Sequence, residues 1–439
     1  MKTKTKSTVV DATLARLQDL GPQLPDKRTG NNCHYTLSDI VLGAFAVFFL
    51  QSPSFLARQQ ALQQQRGWSN ANALFKMERT PCDNHIREML DPVTPEHFYP
   101  EFHVLLETVR QQGYLNAYRV LNGHLLISLD GTNYFSSYKV ACDHCSHRKR
   151  RNGQVEHYHS AILPVIVAPG NPHVLAQPPE FITPQDGTRK QDCERAASKR
   201  WVTQHAAYYA DDHAILMGDD LYANQPLCEH ILDHQLHFLF GCKPKSHTTL
   251  YAALEERDAE VQTITVRQWN GKHGELWTYR YCASLPLRAG DDAVLVNWCA
   301  LHITHAATGA TLYQHTWVTD LDITTDNVVE IVTCARAHWK VENENNNVLK
   351  TKGYHLDHNF GHGKQYLALT LLTLNLLAFL VHTVMHLSNK IYRRIRKTLG
   401  RREAFFNDVR ALLRYLVFKS WADLLTFMAI QLEIMPAPD

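Results

Sequence analysis

The chain has 439 residues, more than a single hydrophobic core usually sustains, so two to four structural units are expected. Hydrophobic residues make up 45% and charged residues 20%, which excludes a disordered, collagen-like or disulfide-stapled chain. The 45 basic and 43 acidic residues leave a net charge of only +2, so any nucleic-acid surface has to be local.

The opening Met-Lys-Thr-Lys-Thr-Lys leads into no apolar stretch and the ten cysteines are scattered, so neither a secretory signal nor a disulfide framework is indicated. A reducing, cytoplasmic and nucleoid-associated setting is expected. Residues 1–120 alternate apolar helical patterns with polar turns, at 37–50, 54–65, 70–77, 83–90 and 95–112. This reads as an all-helical opening domain, a type that often binds DNA, with Ser38 or Asp39 able to cap the first apolar helix.

From 121 to 250 the pattern changes. Short apolar runs at 125–129, 158–167 and 214–217 read as buried strands, with a helix over 192–210 between the last two. Alternating strands at 263–266, 276–281, 293–298 and 311–318 make 251–325 a β-rich insertion in a mixed domain. Residues 326–439 read as helix throughout. Within them 366–387 is long and apolar enough to cross a bilayer, but Asn375, His382 and His386 would be costly in lipid. A helix buried in a large core, with no membrane partner, is therefore expected. Two basic runs, Arg148–Arg151 and Lys390–Arg402, read either as solvated faces or as local DNA surfaces.

Three carboxylates stand out by position. Asp130 follows the strand 125–129 in Leu-Asp-Gly-Thr, and Asp219 follows the strand 214–217 in Gly-Asp-Asp-Leu-Tyr, so two strand ends can offer carboxylates to one point. Glu342 lies on a helix expected to begin near Asp326, sharing a face with His338, Trp339, Asn345, Asn346 and Leu349. Hard cations take oxygen ligands, and a pair of them about 4 Å apart can hold the attacking and leaving oxygens of an in-line phosphoryl displacement. The alternative is that Asp at strand ends serves turns and caps.

Leu-Asp130-Gly-Thr, Gly-Asp219-Asp-Leu-Tyr222 and, after the β-rich stretch, His-Trp339-Lys-Val-Glu342-Asn-Glu-Asn together resemble the DDE transposases of bacterial insertion sequences. The group is the one named after insertion sequence four, and the match spans 125–352. In that group the first Asp opens an Asp-Gly-Thr, the second begins an Asp-x-x-Tyr, and the Glu follows Trp by three. The group's Tyr-x2-Arg-x3-Glu-x6-Lys signature is altered here: Ala335, His338 and Leu349 stand where Tyr, Arg and Lys are expected, with Arg336 and Lys350 as nearby substitutes. This favours a divergent branch, to which 343–350, Gly353-Tyr-His and His358-Asn-Phe-Gly-His362 are also similar.

The resemblance implies an α/β mixed fold: a ribonuclease-H-like catalytic core with a β-rich insertion and helical N- and C-terminal regions. It implies Asp130, Asp219 and Glu342 as catalytic residues holding two Mg2+ or Mn2+ ions, with cleavage at the element's ends and strand transfer into target DNA. The implied partners are transposon-end DNA, target DNA and a second copy of the chain, as a homodimer on DNA. Lys340, Lys350 and Lys352, with Arg393 and Arg394 of the basic run, are then candidates for phosphate contact, since neutralising the backbone supplies most nucleic-acid affinity.

Cys142-Asp-His-Cys145 has the spacing of half a zinc knuckle and is followed by His147, His157 and His159. Cys142, Cys145, His157 and His159 form a candidate structural zinc site, with plain reduced thiols as the alternative. A rival reading of the whole chain is a non-catalytic, zinc-containing DNA-binding protein, to which Glu342 would be indifferent.

Overall fold

The computed structural model describes residues 8–29, 34–184 and 192–436. It begins with six helices: α1 (Val9–Leu20), α2 (Leu37–Phe49), α3 (Phe55–Gln63), α4 (Gln65–Phe75), α5 (Asp83–Leu90) and α6 (Tyr99–Gln111). The first two open with the same device. The hydroxyls of Thr8 and Thr36 accept from the backbone N–H three residues on, while Asp11 and Asp39 accept from the threonine N–H in return. Asp39, expected as a possible cap, is thus the third helical residue, and its other oxygen accepts the N–H groups of Glu78 and Arg79 at 2.8 and 3.3 Å.

The middle of the chain is built from β1 (Arg119–Val120), β2 (His124–Ser128), β3 (Gly131–Ser137), β4 (Ser146–Lys149), β5 (Val155–Ile162), β6 (Val165–Val167), β7 (Leu175–Ala176) and β8 (Glu180–Ile182). After them come α7 (Glu194–His205), β9 (Ile215–Gly218), α8 (Gln225–Asp233), β10 (His237–Gly241) and α9 (Thr248–Glu256). The long strands β11 (Gln262–Trp269), β12 (Gly274–Pro286), β13 (Leu295–His305) and β14 (Thr311–Thr319) complete the β structure.

The main sheet runs β11-β12-β13-β14-β10-β9-β2-β6-β7, with β1 also paired to β2. At its centre β2, β9 and β10 are parallel, and β6 and β14 flank them antiparallel. The β-rich segment therefore extends the central sheet through β14 on β10. The single strand expected over 158–167 is two strands in different sheets. Pro164 has no N–H to continue a ladder, and the chain there leaves β3, the partner of β5, for β2, the partner of β6. β3, β5 and β4, with β8 on β5, make the smaller sheet.

The closing segment holds α10 (Val328–Arg336), α11 (Asn347–Thr351), α12 (Leu367–Ser388), α13 (Lys390–Leu399), α14 (Arg402–Tyr415) and α15 (Trp421–Gln431). The two ends of the chain share one helical body. Asn70 on α4 donates to the carbonyls of Leu413 and Leu416, Arg410 donates to those of Leu50 and Gln51, and the Trp421 indole donates to Leu74.

At its centre is α12, 22 residues with a mean hydropathy of 2.0 over its apolar window, all of which is buried in the protein. Asn375 and His382 each find one partner inside. Asn375 donates to the Tyr354 carbonyl at 3.0 Å, and the Tyr354 hydroxyl, 2.7 Å from His382 Nδ1, also accepts from Arg402 at 2.6 Å. Tyr354 of the Gly353-Tyr-His motif is thus part of the core. Gly353 has φ +94°, and a Cβ there would lie 2.3 Å from the Gln51 amide oxygen.

Candidate active site

β2 and β9 are adjacent, parallel and in register at Ser128 and Met217. Asp130 and Asp219 each lie two residues beyond that pair, so register alone delivers both carboxylates to one edge of the sheet. Gly218 is required there because a Cβ would sit 2.6 Å from the Tyr222 ring. The third acid comes from an irregular helix. After α10 the chain tightens into a 3-10 turn at Ala337–Trp339, then widens into a π-helical turn at Val341–Asn346 before α11. Such widened turns recur at functional sites. Here Glu342 is exposed while Asn345 and Asn346 are buried.

Asp130, Asp219 and Glu342 line one cleft of about 420 Å³, with Arg336, His338 and Trp339 on its walls. Asn346 donates to Asp130 Oδ2 at 2.8 Å and is itself held by the Asn345 amide at 3.1 Å. Burial pushes the Asp130 carboxyl up to about 7, and the negative charges of Glu194, Asp219 and Glu342 push in the same direction. His338 is pushed down to about 4 by burial, so its imidazole, 2.6 Å from the Ser128 hydroxyl, is neutral at pH 7. Arg336 stacks its guanidinium over Trp277 and Tyr313 at 4.8 and 5.1 Å.

Within the Asp219-Asp220 pair the two side chains part. Asp219 lines the cleft and accepts from the Leu221 N–H at 2.8 Å, a local turn bond. Asp220 accepts from the Lys243 N–H and the Ser246 hydroxyl and lies 3.3 Å from His247 Nδ1.

Glu194, inside the helix expected over 192–210, is a fourth acid at this site. It lies in the first turn of α7, accepts from the Tyr222 hydroxyl at 3.1 Å, and occupies the space over Gly131, where a Cβ would fall 2.4 Å from its carboxyl carbon. Burial raises its pKa, the Tyr222 hydrogen bond opposes this, and Asp219 adds to the rise. The available signal was the Gly of Asp-Gly-Thr and the Tyr of Asp-x-x-Tyr, both of which converge on this carboxylate.

The basic candidates separate. Lys340 is 6% exposed, donates to the Asn171 carbonyl at 2.9 Å and lies over the Trp339 ring, which takes it out of the accessible surface. Arg393 donates to the carbonyls of His386 and Leu387, ending α12 as a cation at a helix C-terminus does. Each of the two thus ties one segment of the chain to another. Lys350 is 4.0 Å from Asp357, while Lys352 and Arg394 are exposed. In the other basic run, Arg148 and Arg150 both pair with Glu156.

The cysteine–histidine set also changes by one member. Cys142, Cys145 and His159 come together as expected, but the fourth residue is His362, and the four donor atoms lie within 4.8 Å of one another and could hold a metal ion. His157 is two residues back along β5, a step of about 6.5 Å that carries it past the cluster to face His147 across the strand pair. His362 lies 203 residues from His159 in the chain, so no local spacing could have supplied it. No known protein family matches the chain, and no curated protein matches it.

Proposed function

We propose that this protein is a DDE-type DNA transposase whose mixed sheet is a ribonuclease-H-like core. The observation that carries the reading is the meeting of Asp130, Asp219 and Glu342, from two strand ends and a π-helical turn, in one cleft. The adjacent parallel strands bearing the two aspartates, and the β-rich segment between Asp219 and Glu342, agree with it.

The donor set fits hard divalent cations. Burial, with the charges of Glu194, Asp219 and Glu342 adding to it, holds Asp130 well above the ordinary carboxylate range, and Mg2+ or Mn2+ would relieve the charge part of that penalty. When bound, such ions supply Lewis acidity for both the attacking and the leaving oxygen of a phosphodiester. The residues themselves do the positioning. Asn346 fixes the rotamer of Asp130, and neutral His338 adds no competing positive charge beside Asp219. Exposed Lys352 and Arg394 are the available cations for DNA phosphates. With a DNA end held in this way, a water-derived oxygen cuts one strand, and the freed 3' hydroxyl then attacks target DNA.

The test incubates the full chain with DNA carrying the flanking ends of its own element, with Mg2+ or Mn2+, and maps 3' hydroxyl termini. Asp130→Ala is expected to abolish the cuts while circular dichroism and melting show a folded protein. Cuts that persist in that variant overturn the assignment.

A further inference from the structure

We propose that Cys142, Cys145, His159 and His362 bind a structural Zn2+ ion that clasps the sheet continuing from Asp130 to the segment joining the Glu342 helix to α12. The distances are those a tetrahedral ion dictates. With Zn–S about 2.3 Å and Zn–N about 2.0–2.1 Å, the edges are about 3.8 Å for sulfur–sulfur, about 3.6 Å for sulfur–nitrogen and about 3.3 Å for nitrogen–nitrogen. The sulfur atoms are 3.8 Å apart, three of the four sulfur–nitrogen separations are 3.6, 3.4 and 3.3 Å, the two Nε2 atoms are 3.1 Å apart, and all four donor atoms lie within 4.8 Å of one another.

A cation between the two Nε2 atoms would take a lone pair from each imidazole at that separation. Two thiolates balance the charge of Zn2+, and the mixed sulfur–nitrogen set suits zinc better than oxygen-seeking cations. Cys145, His159 and His362 are 6%, 1% and 5% exposed, so the site is closed, as structural sites are. His362 Nδ1 lies 2.8 Å from the Gly363 carbonyl; donation there fixes the tautomer that leaves Nε2 free to ligate.

What the ion joins follows from where each ligand is moored. Cys142 and Cys145 close a turn between β3 and β4, and β3 begins at the residue after Asp130. His159 is on β5, stacked on Tyr134 of β3. His362 stands in the segment after α11, and that segment is fastened to the helical body by Asp91, whose carboxylate accepts the N–H groups of Lys364, Gln365 and Leu367. One ion thus cross-links the β3–β5 arm, the continuation of the Glu342 helix and the start of α12. The clasp does not depend on the proposed transposase activity.

The test measures metal in the full chain purified without chelator. About one equivalent of zinc per chain is expected, and Co2+ in its place should show the thiolate charge-transfer and d–d absorption of a tetrahedral site. His362→Ala should lose the zinc, whereas His157→Ala should keep it. Because His362→Ala could unfold, wild type stripped of zinc by chelator is compared by hydrogen exchange, with protection expected to fall together at 138–160 and 352–366. Wild type with reduced thiols, no zinc and no cobalt spectrum overturns the site, as does full zinc retention in folded His362→Ala. Loss of protection confined to 138–160 overturns the clasp.

Discussion

Asp130 is the residue on which the electrostatics of the site converge. Its folded pKa of about 7 lies above the ordinary 3.8, so ionising it opposes folding. The sign follows: the penalty is absent below about pH 4, grows between pH 4 and 7, and is full above pH 7. Asp130→Asn should therefore stabilise the metal-free protein at pH 8 by up to about 4 kcal/mol, an effect that fades toward pH 4. Chemical denaturation at the two pH values checks this, and a uniform effect contradicts it. Binding of Mn2+ should weaken as pH falls through about 7, because the carboxyl must lose its proton first.

Glu194 is the largest of the charge contributions raising Asp130. Glu194→Gln should lower the midpoint of that pH dependence by about half a unit to one unit. An unchanged midpoint in a Mn2+ titration would remove Glu194 from the site. At this scale the sequence was informative about acids that begin or end apolar runs, Asp130 and Asp219 above all. It was silent on Glu194 and met His362 only within His358-Asn-Phe-Gly-His362, apart from the cysteines; their relevance comes from contacts with Gly131 and Tyr222 in one case and with Cys145 and His159 in the other.

Among the elements, the strands carrying the aspartates were legible because a short apolar run bounded by a turn has few other interpretations, and both extend within a residue or two of the expected limits. β3 was not, since Gly-Thr-Asn-Tyr-Phe-Ser-Ser has a polar outer face, and neither was β10, which follows a helix after a turn of only three residues. The Glu342 helix was legible as helix, but not its change of pitch, which depends on burying Asn345 and Asn346 against the sheet. That pitch is what aims Asn346 at Asp130. Asn346→Ala should leave a folded protein, about 1–3 kcal/mol less stable for the lost buried hydrogen bonds, while weakening Mn2+ binding by about tenfold or more, as loss of an orienting partner does. Equal affinity in wild type and variant would show that the π-helical turn does not organise the carboxylates. The buried polar residues of α12 follow the same logic. Tyr354→Phe strips a partner from both His382 and Arg402 in the core and should cost about 2–4 kcal/mol, read by urea denaturation. A cost below about 0.5 kcal/mol would mean those groups find other partners.

In the whole molecule the two ends of the chain are joined, so the division at residue 120 drawn from the change of pattern is a boundary of secondary structure that cuts through one helical body. Periodicity along a chain reports local faces, and it holds no record of which distant face covers them; α4 and α14 meet through Asn70 and Leu413 only in three dimensions. The helical body and the Cys142–Cys145–His159–His362 cluster bring the strand after Asp130 and the segment after Glu342 onto one frame, with the proposed catalytic cleft between sheet and π-helical turn. The most direct test of that account compares Mn2+-dependent nicking of the element's flanking DNA by wild type and by Glu342→Gln, which removes one charge at nearly constant shape. Nicks ending in 3' hydroxyls that need the metal are expected, falling by about a thousandfold or more in the variant, as removal of a principal transition-state contact requires. Nicking at an unchanged rate in folded Glu342→Gln would contradict it.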